Sequence, residues 1–171
     1  MYVLGHLGLG LGIAWLAASR RPLAIDYRLV LLGAVLPDLI DKPLGFALGL
    51  ESRLWAHTLV FVGSVLAFAA LPALRRAAWI GLGVLTHLLL DRIWEQPLVV
   101  VWPALGWAFP ADGVDLEGFL YVLLHDPFVQ AGEIAGVLVL VLFARAHGIR
   151  TWPDVRSFLR TGRVPRAIPA E

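Results

Sequence analysis

Residues 77–98 read "AAWIGLGVLTHLLLDRIWEQPL". A bilayer core of about 30 Å needs roughly 17–25 apolar residues per helix, and this run is long enough. It begins apolar, but its later part carries His87, Asp91, Arg92 and Glu95. Such a segment is either a membrane span with a polar patch or the core helix of a soluble protein. Composition decides between them. Of 171 residues, 59% are hydrophobic and 16% charged, and mean hydropathy is +0.78. An ordinary soluble domain holds roughly 45–50% apolar and about 25% charged residues. The departure on both counts excludes a soluble globule, a disordered tail and a nucleic-acid binder. Net charge is +1 and names no partner. With no cysteine, disulfides, iron–sulfur clusters and thiolate zinc sites are excluded, and the redox compartment stays open.

Working outward, four further stretches qualify as spans: 2–18, 29–50, 56–74 and 127–147. The expected fold is all-α, a polytopic membrane bundle of about five transmembrane helices over residues 1–148, followed by a basic tail over 149–171. Spans 2 and 4 both carry acids and bases in their second halves, so a strict hydropathy reading would demote one of them. Ser19-Arg20-Arg21-Pro22 closes the first span, and Pro72 with Arg75-Arg76 ends the third. Asp126-Pro127 reads as a cap and first-turn proline opening the fifth, and Gly148 as its stop. No basic region precedes the first apolar run, so it reads as a retained span rather than a signal peptide. Residues 99–125, with Trp102, Pro103, Trp107, Pro110 and Gly113, read as a re-entrant or interfacial segment. The tail is expected to hold a short amphipathic helix around 153–160.

Arginine placement orients the bundle. Eleven of the fourteen Lys and Arg follow spans 1, 3 and 5: Arg20, Arg21, Arg28, Arg75, Arg76, Arg145, Arg150, Arg156, Arg160, Arg163 and Arg166. Lys and Arg accumulate on the cytoplasmic side. The expected location is therefore the cytoplasmic (inner) membrane, N-terminus outside and C-terminus inside. On that topology His6, Asp38, Asp41, His57, His87, Asp91, Glu95, Asp126 and Glu133 all fall in the outer leaflet. Asp38 and Asp41 are three apart, and His87, Asp91 and Glu95 are spaced by four, so each set shares a helical face. Charged groups at membrane depth cost several kcal/mol each and face a partner or a water-filled cavity. Converging His and carboxylates suit a divalent metal, zinc foremost, with manganese or iron as alternatives. The expected ligands are His6, Asp38, Asp41, His57, His87 and Asp91. Singly, each His also fits a hydrogen-bonded core residue. Asp41 with Lys42 and Asp91 with Arg92 also fit local ion pairs, although adjacent helical residues point apart. Glu133 fits a lone buried acid better than a ligand, and His125 and His147 read as interfacial. Gly5, Gly8, Gly10 and Gly12 permit close helix approach, within one chain or between two.

These same residues carry a resemblance. His6, "LPDLIDKP" at 36–43, "SRLWAHTL" at 52–59, "THLLLD" at 86–91 and "VWP" at 101–103 follow one another as in the membrane-bound metal-dependent hydrolases, also described as LexA-binding inner-membrane-associated hydrolases. The likeness covers about residues 1–105. Two departures stand out. Ser52 replaces the first histidine of the third element, and an extra residue between the acids of the second moves Asp41 onto the helical face of Asp38. The resemblance implies a hydrolase and gives no substrate. A metal site in the outer leaflet would activate water and polarise an ester. Asp91 or Glu95 would serve as general base if not coordinated. Arg53, with Lys42 or Arg92 behind it, would bind a phosphate and stabilise transition-state charge. Membrane lipid is the expected partner, and a phosphoester or lipid-linked substrate, as for a phospholipase-like enzyme, fits this location. The alternatives are a non-catalytic membrane adaptor stabilised by metal, working through its basic tail, and an ion transporter. The inner halves of spans 1–4 offer a transporter no polar route.

Overall fold

A computed structural model describes residues 2–20, 23–50, 52–110 and 116–162. The described residues are helical with no strand: α1 (Val3–Arg20), α2 (Tyr27–Leu48), α3 (Leu59–Ala69), α4 (Ala77–Leu90), α5 (Pro97–Val100), α6 (Leu116–His125), α7 (Pro127–Ala146) and α8 (Trp152–Thr161). Arg21, Gly113, Arg163 and Arg166 lie outside the described residues, as does the end of the tail.

Local chemistry sets these ends. Asp126 caps α7, its Oδ1 accepting from Phe128 N at 2.8 Å and Val129 N at 3.1 Å, with Pro127 in the first turn. Beyond α7, Gly148 takes a left-handed φ of 66°, which glycine adopts without a Cβ clash. Gly49 closes α2 in the same conformation, its N–H bonded to the Gly45 carbonyl. Thr58 caps α3, its Oγ1 accepting from Phe61 N at 3.0 Å.

Two helices, α1 and α7, are long and apolar enough to cross a membrane. The expected third and fourth spans are shorter than their apolar runs. With a rise of about 1.5 Å per residue, the 11 residues of α3 fall well short of a bilayer core. The chain turns through Trp55–His57 before α3 and Pro72–Leu74 after it. α4 stops after 14 residues because Asp91 caps it and Arg92 turns left-handed at φ 53°. α6 is a separate helix inside the segment expected to be re-entrant or interfacial.

The exterior is rich in large apolar side chains, while part of the interior is polar. Phe46 is 89% exposed, Ile134 62% and Leu124 64%, while His6, Asp41, His57 and His87 are fully buried. Exposed apolar surface on this scale needs an apolar surrounding. Two glycine crossings hold the bundle. A Cβ on Gly8 would strike the backbone of Gly136 in α7, and one on Gly83 would strike the Val30 carbonyl in α2. Small residues let backbones approach closely where lipid gives helices no hydrophobic drive to associate. The glycines of α1 face other helices of the same chain. Successive contacts run forward in both members, so α1 lies parallel to α7 and α2 parallel to α4. The C-terminal ends of α2 and α4 therefore meet the start of α1. At the other end Leu11, Ala14, Tyr27, Val30, Phe143 and Phe158 form an apolar core. Phe158 belongs to α8, so this expected amphipathic helix is docked on the bundle.

Candidate metal centre

Four chain segments converge. α1 brings His6, α2 brings Asp38 and Asp41, the turn Trp55–His57 brings His57, and α4 brings His87 and its cap Asp91. The Asp41 carboxylate faces backbone rather than the centre. It accepts from Leu54 N at 2.8 Å, Ala56 N at 3.1 Å and His57 N at 3.1 Å. It also lies 2.7 Å from His57 Nδ1. Asp41 thus stands behind His57, folding residues 54–57 around itself and fixing the ring.

That ring contact sets a tautomer. A carboxylate only accepts, so His57 Nδ1 carries the proton and Nε2 presents a lone pair. His87 repeats the pattern, with Nδ1 2.8 Å from the Ala34 carbonyl. Rings held this way bring their two Nε2 atoms within 3.1 Å of each other, close enough to share a proton or to face one cation. Asp38 Oδ1 lies 3.7 Å from His57 Nε2 and 3.8 Å from His87 Nε2. His6 stacks on His87 with ring centroids 3.9 Å apart. Its Nε2 is 3.1 Å from Asp91 Oδ1, while its Nδ1 is buried with no hydrogen-bond partner among the described residues. Burying such a polar group without a partner costs on the order of 1–3 kcal/mol.

Two cations close the rim. Arg53 Nε donates to Asp91 Oδ2 at 3.0 Å, and Lys42 Nζ to Asp38 Oδ2 at 2.7 Å. Their side chains are 31% and 30% exposed, so both reach outward from the buried carboxylates. Among the described residues, three carboxylates, Asp38, Asp41 and Asp91, gather here with two rim cations, Lys42 and Arg53. Two overlapping groups offer one ligand atom per residue, all within 4.8 Å of one another: His6, His87 and Asp91, and Asp38, His57 and His87.

Sequence spacing misplaced some residues. Glu95 is half-exposed, pairs with Arg92 and lies off the centre. The four-residue spacing from Asp91 is not helical, because α4 has already ended. Arg92 therefore pairs with Glu95 rather than Asp91, and Lys42 with Asp38 rather than Asp41. The Asp38–Lys42 pair has the i, i+4 spacing that would have revealed it. Glu133 accepts from Tyr2 N, Leu4 N and Gly5 N and so anchors the start of α1. His147 is buried rather than interfacial, with Nδ1 on the Phe143 carbonyl and its ring beside Trp15. The part played by the Ala34 carbonyl has no signature in the sequence.

The model of a known family, the YdjM inner membrane protein, matches residues 1–153. The chain belongs to the YdjM inner membrane protein family. That match takes in every residue of the cluster and runs through α7, and it agrees with the apolar exterior of the bundle. No match is found among curated proteins or solved structures. In this YdjM-family chain the cluster is the densest gathering of buried polar side chains among the described residues.

Proposed function

We propose that this chain is a metal-dependent hydrolase of the inner membrane, acting on a phosphoester or lipid-linked substrate. One observation carries the reading: His57 and His87 both have Nδ1 taken up by an acceptor, so two lone pairs converge beside Asp38 in a buried site. Lone pairs so placed repel unless a shared proton or a metal cation lies between them, and the adjoining Asp38 carboxylate favours the metal. His6, with Nδ1 buried and unpartnered among the described residues and Nε2 beside Asp91, supports the same conclusion.

The ligands would be drawn from His6, Asp38, His57, His87 and Asp91, with Asp41 orienting His57. Carboxylates behind metal-binding histidines typically set ring orientation and basicity. A divalent ion here, zinc foremost with manganese or iron as alternatives, would supply Lewis acidity toward an ester and acidify water. Arg53 keeps its guanidinium against Asp91 through Nε, leaving Nη1 and Nη2 to meet a phosphate oxygen. Lys42 offers a second cation on the other side of the rim. Asp91 remains the general-base candidate, and Glu95 does not. With the N-terminus outside, this rim opens in the outer leaflet.

The test is elemental analysis of the detergent-purified protein, with His87→Ala and Asp38→Ala alongside. Stoichiometric metal in the parent, lost in both folded variants, is the expected result. Phosphoester hydrolysis should then vanish on chelation and return with zinc or manganese. Absence of metal even after reconstitution would make the cluster a buried polar network and put the adaptor reading first. Metal bound without hydrolysis of any phosphoester would leave the site and remove the enzyme.

A further inference from the structure

At the end of the bundle opposite the metal cluster lies a cavity of about 990 Å³, framed by the starts of α2 and α4 and the end of α8. Arg28, Arg75, Arg76 and Arg160 line it, with Trp79 beside them. One carboxylate, Asp26, also faces it, and Arg28 already neutralises that charge. Arg28 donates from Nε to Asp26 Oδ1 at 3.0 Å and from Nη2 to Oδ2 at 2.8 Å. Its Nη1 donates to the Leu159 and Arg160 carbonyls, tying α8 to the start of α2. Arg28 is therefore committed to structure. Arg75, Arg76 and Arg160 make no ion pair among the described residues, so among them the lining sets four guanidinium groups against the single carboxylate of Asp26.

The surroundings define what those charges would meet. Leu23 of the lining is 44% exposed, and Leu71 and Leu74, in the turn that leads into Arg75, are 52% and 46% exposed. On α8, Phe158 points into the core while Trp152 and Leu159 stay 69% and 54% exposed. A helix with a polar face and outward aromatic and aliphatic residues suits a membrane interface. Arginines close to apolar flanks at headgroup depth match a molecule with a phosphate at one end and hydrocarbon at the other. Basic recesses between membrane helices on the cytoplasmic side commonly receive anionic headgroups. We infer that this cavity binds the phosphate of an anionic membrane phospholipid, held by Arg75, Arg76 and Arg160, with its acyl chains along the apolar flank. This inference is independent of any hydrolytic activity.

The experiment is native mass spectrometry of the full chain in neutral detergent, titrated with phosphatidylglycerol or phosphatidylcholine. Phosphatidylglycerol should bind in preference to phosphatidylcholine. At about fivefold per arginine, the combined Arg75→Ala, Arg76→Ala, Arg160→Ala variant should lose about a hundredfold in phosphatidylglycerol affinity. Arg145→Ala, on α7 and outside the cavity lining, should bind as the parent does. Should the triple variant misfold, Arg160→Gln alone and raised salt with the parent protein should each still weaken binding while helicity is unchanged. Equal binding of the two lipids, or full binding by variants with unchanged helicity, would overturn the inference. Displacement of phosphatidylglycerol by millimolar inorganic phosphate would assign the cavity to free phosphate and overturn the lipid.

Discussion

Asp41 and Glu133 are acids in otherwise apolar runs, and both grip backbone. Asp41 gathers the N–H groups of Leu54, Ala56 and His57, and Glu133 those of Tyr2, Leu4 and Gly5. Each satisfies donors that the start of a helical segment leaves without an internal partner, and each puts negative charge where the peptide dipoles favour it. The difference is one bond. Asp41 also engages His57 Nδ1, and that bond turns the opposite nitrogen toward the centre. Asp41 thus joins fold to chemistry, while Glu133 works on the fold and reaches the site through α1. A buried acid is therefore read from what it leaves exposed on its partner, not from burial alone.

Replacing Asp41 with Asn should have the largest effect. An amide offers one acceptor in place of two and turns an N–H pair toward buried donors. The expected loss is roughly 3 kcal/mol of stability, with metal affinity falling about 10–100-fold as for other histidine-orienting carboxylates. Reversible unfolding in mixed detergent and elemental analysis read the two effects. A variant that keeps both stability and metal would break the distinction between the two acids at its strong end.

Next comes the crossing that holds Ala34 against His87. Gly83→Ala puts a Cβ into the Val30 carbonyl, an overpacking that should cost about 1–3 kcal/mol. It should also part α4 from α2 and reduce metal content. Gly63→Ala is the control, since a Cβ there meets nothing within 4 Å. Inside α3 that change should stabilise by up to about 1 kcal/mol and leave metal content alone.

Glu133→Gln should cost less, about 1 kcal/mol, because the remaining carbonyl oxygen still accepts from part of the α1 start. Metal content should stay near the parent value. If Glu133→Gln lost metal as completely as Asp41→Asn, both acids would belong to the centre and the contrast would collapse.

Much of this was legible in the sequence. The apolar runs located α1, α2, α4 and α7, and the arginines grouped at one end of the bundle. His6, Asp38, His57, His87 and Asp91 were recognisable because ionisable residues in apolar runs need partners. What failed was the assumption that helical spacing continues. Thr58 and Pro72 bound α3, and Arg92 in a left-handed conformation ends α4, so Glu95 leaves the face that Asp91 occupies. Direction was equally hidden. Nothing in "LPDLID" says that Asp38 faces the histidines while Asp41 turns to the backbone of 54–57, since that depends on a turn thirteen residues away.

The smallest effect belongs to a third carboxylate doing the same backbone work in water. Asp154 accepts from Arg150 N at 3.0 Å and Thr151 N at 2.8 Å, and Thr151 caps α8 in return. The Thr151 hydroxyl and these N–H groups hold its carboxyl below the ordinary 3.8. A depressed acid adds stability that is fully present above its unfolded value and is lost as pH falls through its folded one. Amide exchange in α8, corrected for intrinsic rate, should therefore be slower in the parent than in Asp154→Asn at pH 6. The two should converge below the folded value. Solvent screens this site, so the difference should be confined to α8 and leave the metal centre untouched. Loss of metal in Asp154→Asn at neutral pH would mean that the two ends of the bundle are coupled. The separation drawn between Asp41 and the other two acids would then have to be given up.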